Sequence, residues 1–340
     1  MEYENTIISK INDNSLKYAK NLISENELVA FPTETVYGLG GLATSDLAVR
    51  RIYEAKGRPS DNPLIVHVHK DYDLNKLVFI EHDYVYKLRE AFLPGPLTMV
   101  YKSKNNVSKL VSCGLDTLAV RVPSHSGAQE FLKYLDLPIA APSANVSKHT
   151  SPVTAEHVYG DLKGKIGLIL DGGKCSGGIE STVLDVTTDT PVILRSGLVT
   201  CDMIKSVVGK CVYGANKPTD KVRSPGCKYR HYKPACETAL FSRFETDKAQ
   251  KLYDEYVKNG KKPYFMVDEQ IAKKLSGNIL NLGRTGEEIA SNLYYRLLEG
   301  EKIADIIIAV EIETGSDIDV GIMNRLSKAC AVLPPDAEIK

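Results

Sequence analysis

Short apolar segments alternate with amphipathic segments of helical length along most of this 340-residue chain. Residues 14–26 carry apolar side chains spaced as on one face of a helix, and the apolar stretch LVAF follows at 28–31. The same alternation predicts further helices at 46–56, 82–92, 125–134, 154–160 and 200–207, and strands at 63–68, 97–103, 118–123, 138–142, 166–170, 181–186 and 191–195. The mixture predicts an α/β domain with a large mixed sheet over roughly the first 210 residues.

The pattern restarts after a segment rich in Pro and Gly. Strands are predicted at 238–241, 263–267 and 304–312, and helices at 247–258, 287–298 and 318–330. Thr285 and Glu288 stand three residues apart ahead of the second of these helices, which is the spacing of a capping box. We therefore predict a first domain at 1–212, a linker at 213–236 and a small βαβ-type α/β domain at 237–340.

The linker is unusually basic. Between Lys221 and Cys236 there are five Lys or Arg residues, a histidine, two tyrosines and no acidic residue. The whole chain has 43 basic and 43 acidic residues, so no global field draws it to nucleic acid or to a membrane. An anion site must therefore be a local cluster, and the linker is one candidate.

Several protein classes are excluded by what the sequence lacks. The first fifteen residues have no basic region followed by an apolar core, and no apolar run approaches the ~20 residues of a membrane helix, so we expect neither a signal peptide nor a membrane partner. The seven cysteines contain no C-x-x-C pair, which fits free thiols and a cytoplasmic location. Cys227, His231 and Cys236 match no established zinc spacing, so we predict no metal site.

The stretch FPTETVYGLGGLA at 31–43 follows the first strand, and we interpret it as a loop. Its glycines can be aligned with the dinucleotide fingerprint only poorly, because six residues separate them from the strand. A glycine-rich turn that only lets backbone segments pass closely explains the stretch as well as a binding function does.

The stretch KGRPSDNPLIVHVH at 56–69 places Lys56 and Arg58 at the end of a helix. Cations are favoured there by the helix dipole, so a structural and a functional role both remain open. A strand then presents His67 and His69 on one face, but a third metal ligand is missing from the run.

Isolated cations and hydroxyl-rich loops recur at the ends of later strands. Arg121 lies inside the apolar strand LAVRV, where a structural ion pair and an anionic ligand explain it equally well. The loop at 141–157 is rich in small hydroxyl and amide residues, the stretch GGIESTVLDV at 177–186 places Glu180, Ser181 and Thr182 at the start of a strand, and Arg195 ends another strand. Such donors suit phosphoryl or nucleotidyl transfer, which depends on positioning and charge neutralisation.

Several motifs in this order carry a family resemblance: PTETVYGLG, KGRPSDNPLIVHV, PGPLT, VRVP, PSAN, ESTV, LRSG and SPG-x-KYRHY-x-P. The chain resembles the YrdC-like threonylcarbamoyl-AMP synthase family in its two-domain form. The resemblance implies an open, twisted mixed sheet with helices, followed by a smaller Rossmann-like βαβ domain. It also implies synthesis of L-threonylcarbamoyl-AMP from L-threonine, bicarbonate or CO2 and ATP, with release of pyrophosphate and with Mg2+ accompanying ATP.

The resemblance carries residue roles onto matching positions of this chain. Lys56 and Arg58 would be catalytic. Threonine would be held by Thr35, His67, Arg121, Ala141 and Ser181. ATP would be held by Arg58, Asn62, Thr117, Ser143, Ser151, Arg195, Tyr229 and His231. The linker would close over the site, and Cys227 departs from the larger apolar residue expected there.

The product would pass to the downstream tRNA threonylcarbamoyl transferase machinery, and whether tRNA itself is bound stays open. Two other functions are compatible with parts of the sequence. The same cations suit an RNA-binding module of this fold without synthase activity, although net neutrality counts against it. A dinucleotide-dependent oxidoreductase rests only on the forced glycine alignment.

Overall fold

The structure, a computed structural model, describes residues 5–214 and 232–330. The described chain divides into two compact units, one made of residues 5–147 and 151–214 and the other of residues 148–150 and 232–330. Most of the predicted linker, 213–236, lies outside the described residues. Within them, no helix is both long enough and apolar enough to cross a membrane.

The first unit is a large mixed sheet with helices. Its strands are β1 (Ile7–Lys10), β2 (Val29–Phe31), β3 (Gly38–Leu42), β4 (Ile65–His67), β5 (Val78–Phe79), β6 (Leu97–Ser103), β7 (Thr117–Arg121), β8 (Ile139–Ala140), β9 (Leu168–Asp171), β10 (Thr182–Asp185), β11 (Val192–Arg195) and β12 (Val212–Tyr213). Its helices are α1 (Asp13–Ser24), α2 (Asp46–Lys56), α3 (Tyr84–Phe92), α4 (Lys109–Ser112), α5 (Ser126–Leu135), α6 (Ala155–Leu162) and α7 (Cys201–Val208), with a 3-10 turn at Leu74–Lys76.

Across the described residues of this unit the strand order is β1-β9-β2-β3-β8-β4-β7-β6-β10-β11-β12, with β5 beside β6. Parallel and antiparallel pairs are mixed: β4 is parallel to β7, whereas β6 is antiparallel to β7. The predicted α/β class and mixed sheet are confirmed.

One apolar cluster holds α1 and α5 against this sheet. Leu16 and Ile23 of α1 and Phe131 of α5 meet Phe31 and Leu170, and all are almost fully buried. Burying such side chains contributes roughly 1.5–3 kcal/mol each. The apolar residues spaced along one face of the helix predicted at 14–26 are therefore the residues that α1 buries in this core.

The interpretation of residues 31–43 as a loop is wrong in its second half. Gly38–Leu42 forms strand β3, antiparallel to β2. A Cβ on Gly40 would lie 2.9 Å from Cγ2 of Ile139, and one on Gly41 would lie 3.0 Å from Leu28. These glycines stand in a strand because neighbouring side chains occupy the space that larger residues would need.

The second unit has a four-stranded parallel sheet among its described residues, in the order β13-β16-β14-β15. The strands are β13 (Glu237–Phe241), β14 (Pro263–Val267), β15 (Ile279–Asn281) and β16 (Ile306–Val310), and the helices are α8 (Thr246–Lys258), α9 (Glu269–Ala272), α10 (Gly286–Gly300) and α11 (Ile318–Ala329). Thr285 and Glu288 form the predicted capping box at the start of α10. The small α/β domain is confirmed.

Candidate active site

Polar side chains form a row across three neighbouring strands at the carboxyl ends of β4 and β7. In the sheet register Arg121 lies opposite His67 on β4 and opposite Thr98 on β6. Residues directly opposite one another point to the same face of a sheet. His67, Arg121 and Thr98 therefore share one face, and all three are buried.

Arg121 is held by a carboxylate that lies far from it in sequence. Its Nη2 donates to Oε1 of Glu34 at 2.8 Å, and Oε2 of Glu34 accepts from the backbone N of Ser124 at 3.0 Å. Arg121 is 4% exposed, and its Nε has no hydrogen-bond acceptor among the described residues. A structural ion pair is therefore present, and Nε of the guanidinium can still donate to another acceptor.

His67 is a neutral hydrogen-bonding group. Burial and, second, the charge of Arg121 lower its pKa to about 3. Its Nδ1 lies 3.2 Å from the backbone oxygen of Ile65, which only accepts, so Nδ1 carries the proton. In a neutral imidazole Nε2 is then an acceptor. His69 instead contacts Asp136 at 2.9 Å, so the two histidines have different partners.

Ser181 extends the row toward β11. Its hydroxyl lies 2.8 Å from Oγ1 of Thr98, and Arg195 donates to its backbone oxygen through Nε at 3.1 Å and through Nη2 at 2.9 Å. Nη2 of Arg195 also lies 3.2 Å from the Ser181 hydroxyl. One predicted threonine residue and one predicted ATP residue are thus in direct contact.

A second polar cluster lies beyond the amino end of β4. The backbone N of Ala141, just after β8, donates to the oxygen of Ile65, and the chain then runs past the start of β4. Nζ of Lys56 reaches the backbone oxygens of Ser143 and Asn145, each at 2.5 Å. Because this chain direction is opposite to that of β4, Ser143 and Lys56 lie at the end of the strand away from His67.

Lys56 is fully buried, and this changes its titration. Burial, and then the charge of Arg58, lower its pKa well below the ordinary value for lysine. Its Nζ also lies 3.3 Å from Oδ1 of Asn145, and that same atom accepts from the Ser143 hydroxyl at 2.5 Å. Lys56 therefore fixes the shape of the loop that follows β8.

Arg58 and Asn62 lie in the loop just before β4. Nη2 of Arg58 donates to the backbone oxygen of Asn62 at 3.2 Å, as does the hydroxyl of Tyr53. The side chain of Asn62 is fully buried, and neither its Oδ1 nor its Nδ2 has a partner among the described residues. Buried amides are rarely left this way, so its geometry fits a polar ligand group.

The two clusters are joined by an apolar floor. Ile65, Val100, Ala119 and Val183 form one buried cluster on the strands β4, β6, β7 and β10. Thr117 starts β7, so a rise of ~3.3 Å per residue puts it about 13 Å from Arg121 on the same face. Arg58, Asn62, Thr117 and Ser143 therefore lie toward the amino ends of β4 and β7, whereas Arg195 and Ser151 lie beside the row that holds His67, Arg121 and Ser181.

Two further predicted residues have defined partners. The first is Thr35, whose hydroxyl oxygen lies 2.9 Å from that of Thr33. Because the Thr33 hydroxyl donates to the backbone oxygen of Val36 at 2.6 Å, the Thr35 hydroxyl donates to Thr33, and its own oxygen remains an acceptor. Ser151 donates to Oε1 of Glu180 at 2.6 Å, next to Ser181.

Some predictions lie beyond what the structure describes. Tyr229, His231 and Cys227 fall outside the described residues. In the parts of the chain that are described, no three His, Cys, Asp or Glu side chains converge as a metal site would require.

Two family models match successive parts of the chain. The Sua5/YciO/YrdC model, whose description is telomere recombination, matches residues 21–197, which is more than half of the chain. The chain belongs to this family. A second model, the C-terminal domain of threonylcarbamoyl-AMP synthase, matches residues 199–331. The family resemblance and the two-domain form are confirmed.

Curated relatives and a solved structure agree over nearly the whole length. The chain is 40% identical to the threonylcarbamoyl-AMP synthase of Pyrococcus abyssi over 94% of this chain and 95% of that protein. It is 42% identical to the Bacillus subtilis enzyme of the same name over 94% of this chain and 93% of the relative. A crystal structure of P. abyssi Sua5 complexed with L-threonine matches with a TM-score of 0.86 and 38% identity, covering 96% of this chain and 98% of that chain.

Three residues of these clusters were missed in the sequence. Glu34 pairs with Arg121, Asn145 contacts Lys56 and Thr98 contacts Ser181. Each lies in a motif that was already noticed, PTET, PSAN or PGPLT. A buried arginine requires a counter-charge, which could have drawn attention to Glu34.

Proposed function

We propose that this chain is a threonylcarbamoyl-AMP synthase, which joins L-threonine, bicarbonate or CO2 and ATP and releases pyrophosphate. Near full-length similarity to proteins of that name is the observation that carries the proposal. The hydrogen bonds of Arg195, a predicted ATP residue, to Ser181, a predicted threonine residue, support it, because the reaction brings a small amino acid and a nucleotide to one site.

Arg121 is proposed to bind the threonine carboxylate, because its buried Nε still needs an acceptor. Nε2 of the neutral His67 and the hydroxyl oxygen of Thr35 are acceptors for the hydroxyl and amine hydrogens of threonine. The methyl group of threonine is expected to rest on the apolar floor. Serine lacks that methyl group and should bind less well by about 1 kcal/mol.

Arg58 and Arg195 are proposed to hold the phosphates of ATP, since guanidinium groups bind phosphate through paired, charge-assisted hydrogen bonds. Asn62, whose two amide atoms have no partner in the described parts of the chain, is proposed to contact the nucleotide. Mg2+ is proposed to enter with ATP, where it would neutralise part of the phosphate charge together with Arg58 and Arg195.

The order of steps follows from what each group can do. The threonine amine loses a proton and adds CO2 to form a carbamate, which then attacks the α-phosphorus of ATP and displaces pyrophosphate. Arg195 contacts Ser181, so it lies where the two substrates would meet and where negative charge accumulates in the transition state. Lys56 holds the loop that carries Ser143.

Pyrophosphate release tests the proposal directly. Purified protein with ATP should release pyrophosphate only when threonine and bicarbonate are both present. Serine in place of threonine should lower the rate. Release at the full rate with ATP alone would refute the proposal, and RNA binding that weakens steeply with salt would favour the RNA-binding alternative. A cytoplasmic location and hand-over to a tRNA-modifying enzyme stay predictions.

A further inference from the structure

Glu34 is fixed by three separate contacts. Its carboxylate accepts from Arg121 through Oε1 at 2.8 Å and from the backbone N of Ser124 through Oε2 at 3.0 Å. Its own backbone oxygen accepts from the N of Gly177 at 2.6 Å. A carboxylate anchored in this way cannot follow a moving partner, so the position of the guanidinium is set by Glu34.

The contact uses only part of the guanidinium. Glu34 binds Nη2, and the neighbouring Nε is buried without an acceptor among the described residues. Nε and Nη2 form the edge of an arginine that a planar carboxylate can grip with two parallel hydrogen bonds. Glu34 therefore leaves an oriented donor of Arg121 available.

The pair also has a defined charge. Arg121 is 4% exposed and Glu34 is 8% exposed, so water screens neither charge well. Together they are neutral, whereas Arg121 without Glu34 would be an uncompensated buried cation. Such a cation attracts any small anion, and phosphates, with more than one negative charge, most strongly.

We infer that Glu34 is a positioning and specificity residue, which aims Arg121 at the single carboxylate of the amino acid and makes that position unattractive to phosphate. The inference rests on the proposed function, because it assigns the ligand of Arg121. It explains why the threonine carboxylate and the ATP phosphates bind to different arginines of one site. ATP phosphates are directed to Arg58 and Arg195 because the charge of Arg121 is already balanced.

The test uses the variants Glu34→Gln and Glu34→Asp. Gln keeps the size of the side chain and removes its charge, whereas Asp keeps the charge and shortens the reach. Glu27→Gln is the matched control, because Glu27 is also 8% exposed and binds Nη1 of Arg51 at 2.8 Å. Thermal unfolding shows first which variants are folded.

Threonine binding is measured by calorimetry without ATP, and competition with inorganic phosphate is measured in the same way. Glu34→Gln should let phosphate compete with threonine, which the wild type and Glu27→Gln should not, because the uncompensated cation attracts any small anion. Glu34→Asp should weaken threonine at least tenfold while phosphate still fails to compete. If Glu34→Gln does not fold, the Asp variant alone decides: unchanged threonine affinity in it overturns the orienting role.

Several results would overturn the inference. One is the absence of phosphate competition in folded Glu34→Gln, and another is equal phosphate competition in Glu27→Gln. A third is unchanged threonine affinity in folded Glu34→Asp, which would make Glu34 only a structural counter-charge with no orienting role. If the wild type binds threonine but releases no pyrophosphate, the proposed reaction fails and the role of Glu34 stands. If the wild type does not bind threonine, both fail.

Discussion

Replacing Arg121 by lysine should separate amino-acid binding from ATP binding. Lysine keeps the positive charge, so Glu34 retains a partner and the fold is not left with an unpaired buried carboxylate, a defect that costs roughly 3–5 kcal/mol. What disappears is Nε, the donor for which residues 5–214 and 232–330 provide no acceptor. We therefore expect a folded protein that binds threonine poorly.

The magnitude follows from the contact that is lost. A hydrogen bond between charged groups contributes about 1.5–3 kcal/mol, which corresponds to roughly a 10- to 150-fold rise in the KM for threonine. The KM for ATP should change less than about threefold, because Arg121 contacts none of the predicted ATP residues, and Arg58 and Asn62 lie before β4, at the end away from Arg121. The two effects differ enough for steady-state kinetics to resolve them.

The assay is pyrophosphate release with one substrate varied while the other and bicarbonate are saturating. Arg51→Lys is the control, because Arg51 binds Glu27 at 2.8 Å and stands in no predicted site. An unchanged KM for threonine, or a KM for ATP that rises as much as that for threonine, would refute the assignment of Arg121 to the carboxylate. Unfolding of Arg121→Lys at an unchanged temperature shows that the effect is local.

Three further predictions concern stability. Gly40→Ala should lower the free energy of unfolding by roughly 1–3 kcal/mol, because its Cβ would lie 2.9 Å from Ile139. The control Gly160→Ala should be neutral or stabilising, because Gly160 is in a helix and its Cβ would meet nothing within 4 Å. Urea unfolding measures both variants. Thr285→Ala should cost about 1 kcal/mol through loss of the helix cap, measured by unfolding of the second unit, and no change would contradict the capping box. The pKa of His67 is lowered to about 3, so the unfolded chain binds its proton more readily, and stability should fall as pH drops from 6.5 toward 3. His67→Gln should remove about 1.4 kcal/mol per pH unit of that slope, and an unaltered slope in the variant would contradict a buried neutral histidine.

The elements and their order could be predicted from local patterns. The helix predicted at 46–56 is α2, and the strand predicted at 263–267 is β14. Apolar period and capping depend on residues a few positions apart, which is why the sequence alone reveals them. Strand β3 was missed because glycine has low strand propensity, and only the neighbours that crowd Gly40 explain its presence there.

The candidate site could be predicted only as a set of separate motifs. Lys56 and Ser143 were both named, but nothing local indicates that Nζ of Lys56 reaches the backbone oxygen of Ser143, 87 residues away. The same holds for Ser151 and Glu180, which are 29 residues apart and joined by a hydrogen bond of 2.6 Å. Motifs identify which residue types are present, whereas their contacts depend on the strand order.

The sequence by itself determined the α/β class, the small second domain and the family, because these follow from periodicity and from motifs read in order. Tertiary structure decided what each charged group faces. Arg121 was compatible with an ion pair or an anionic ligand. The structure pairs it with Glu34, 87 residues away, and leaves its Nε without an acceptor within the described chain. The physical reason is that electrostatic interactions in a protein interior depend on distance and burial, which only the register of β4, β6 and β7 establishes.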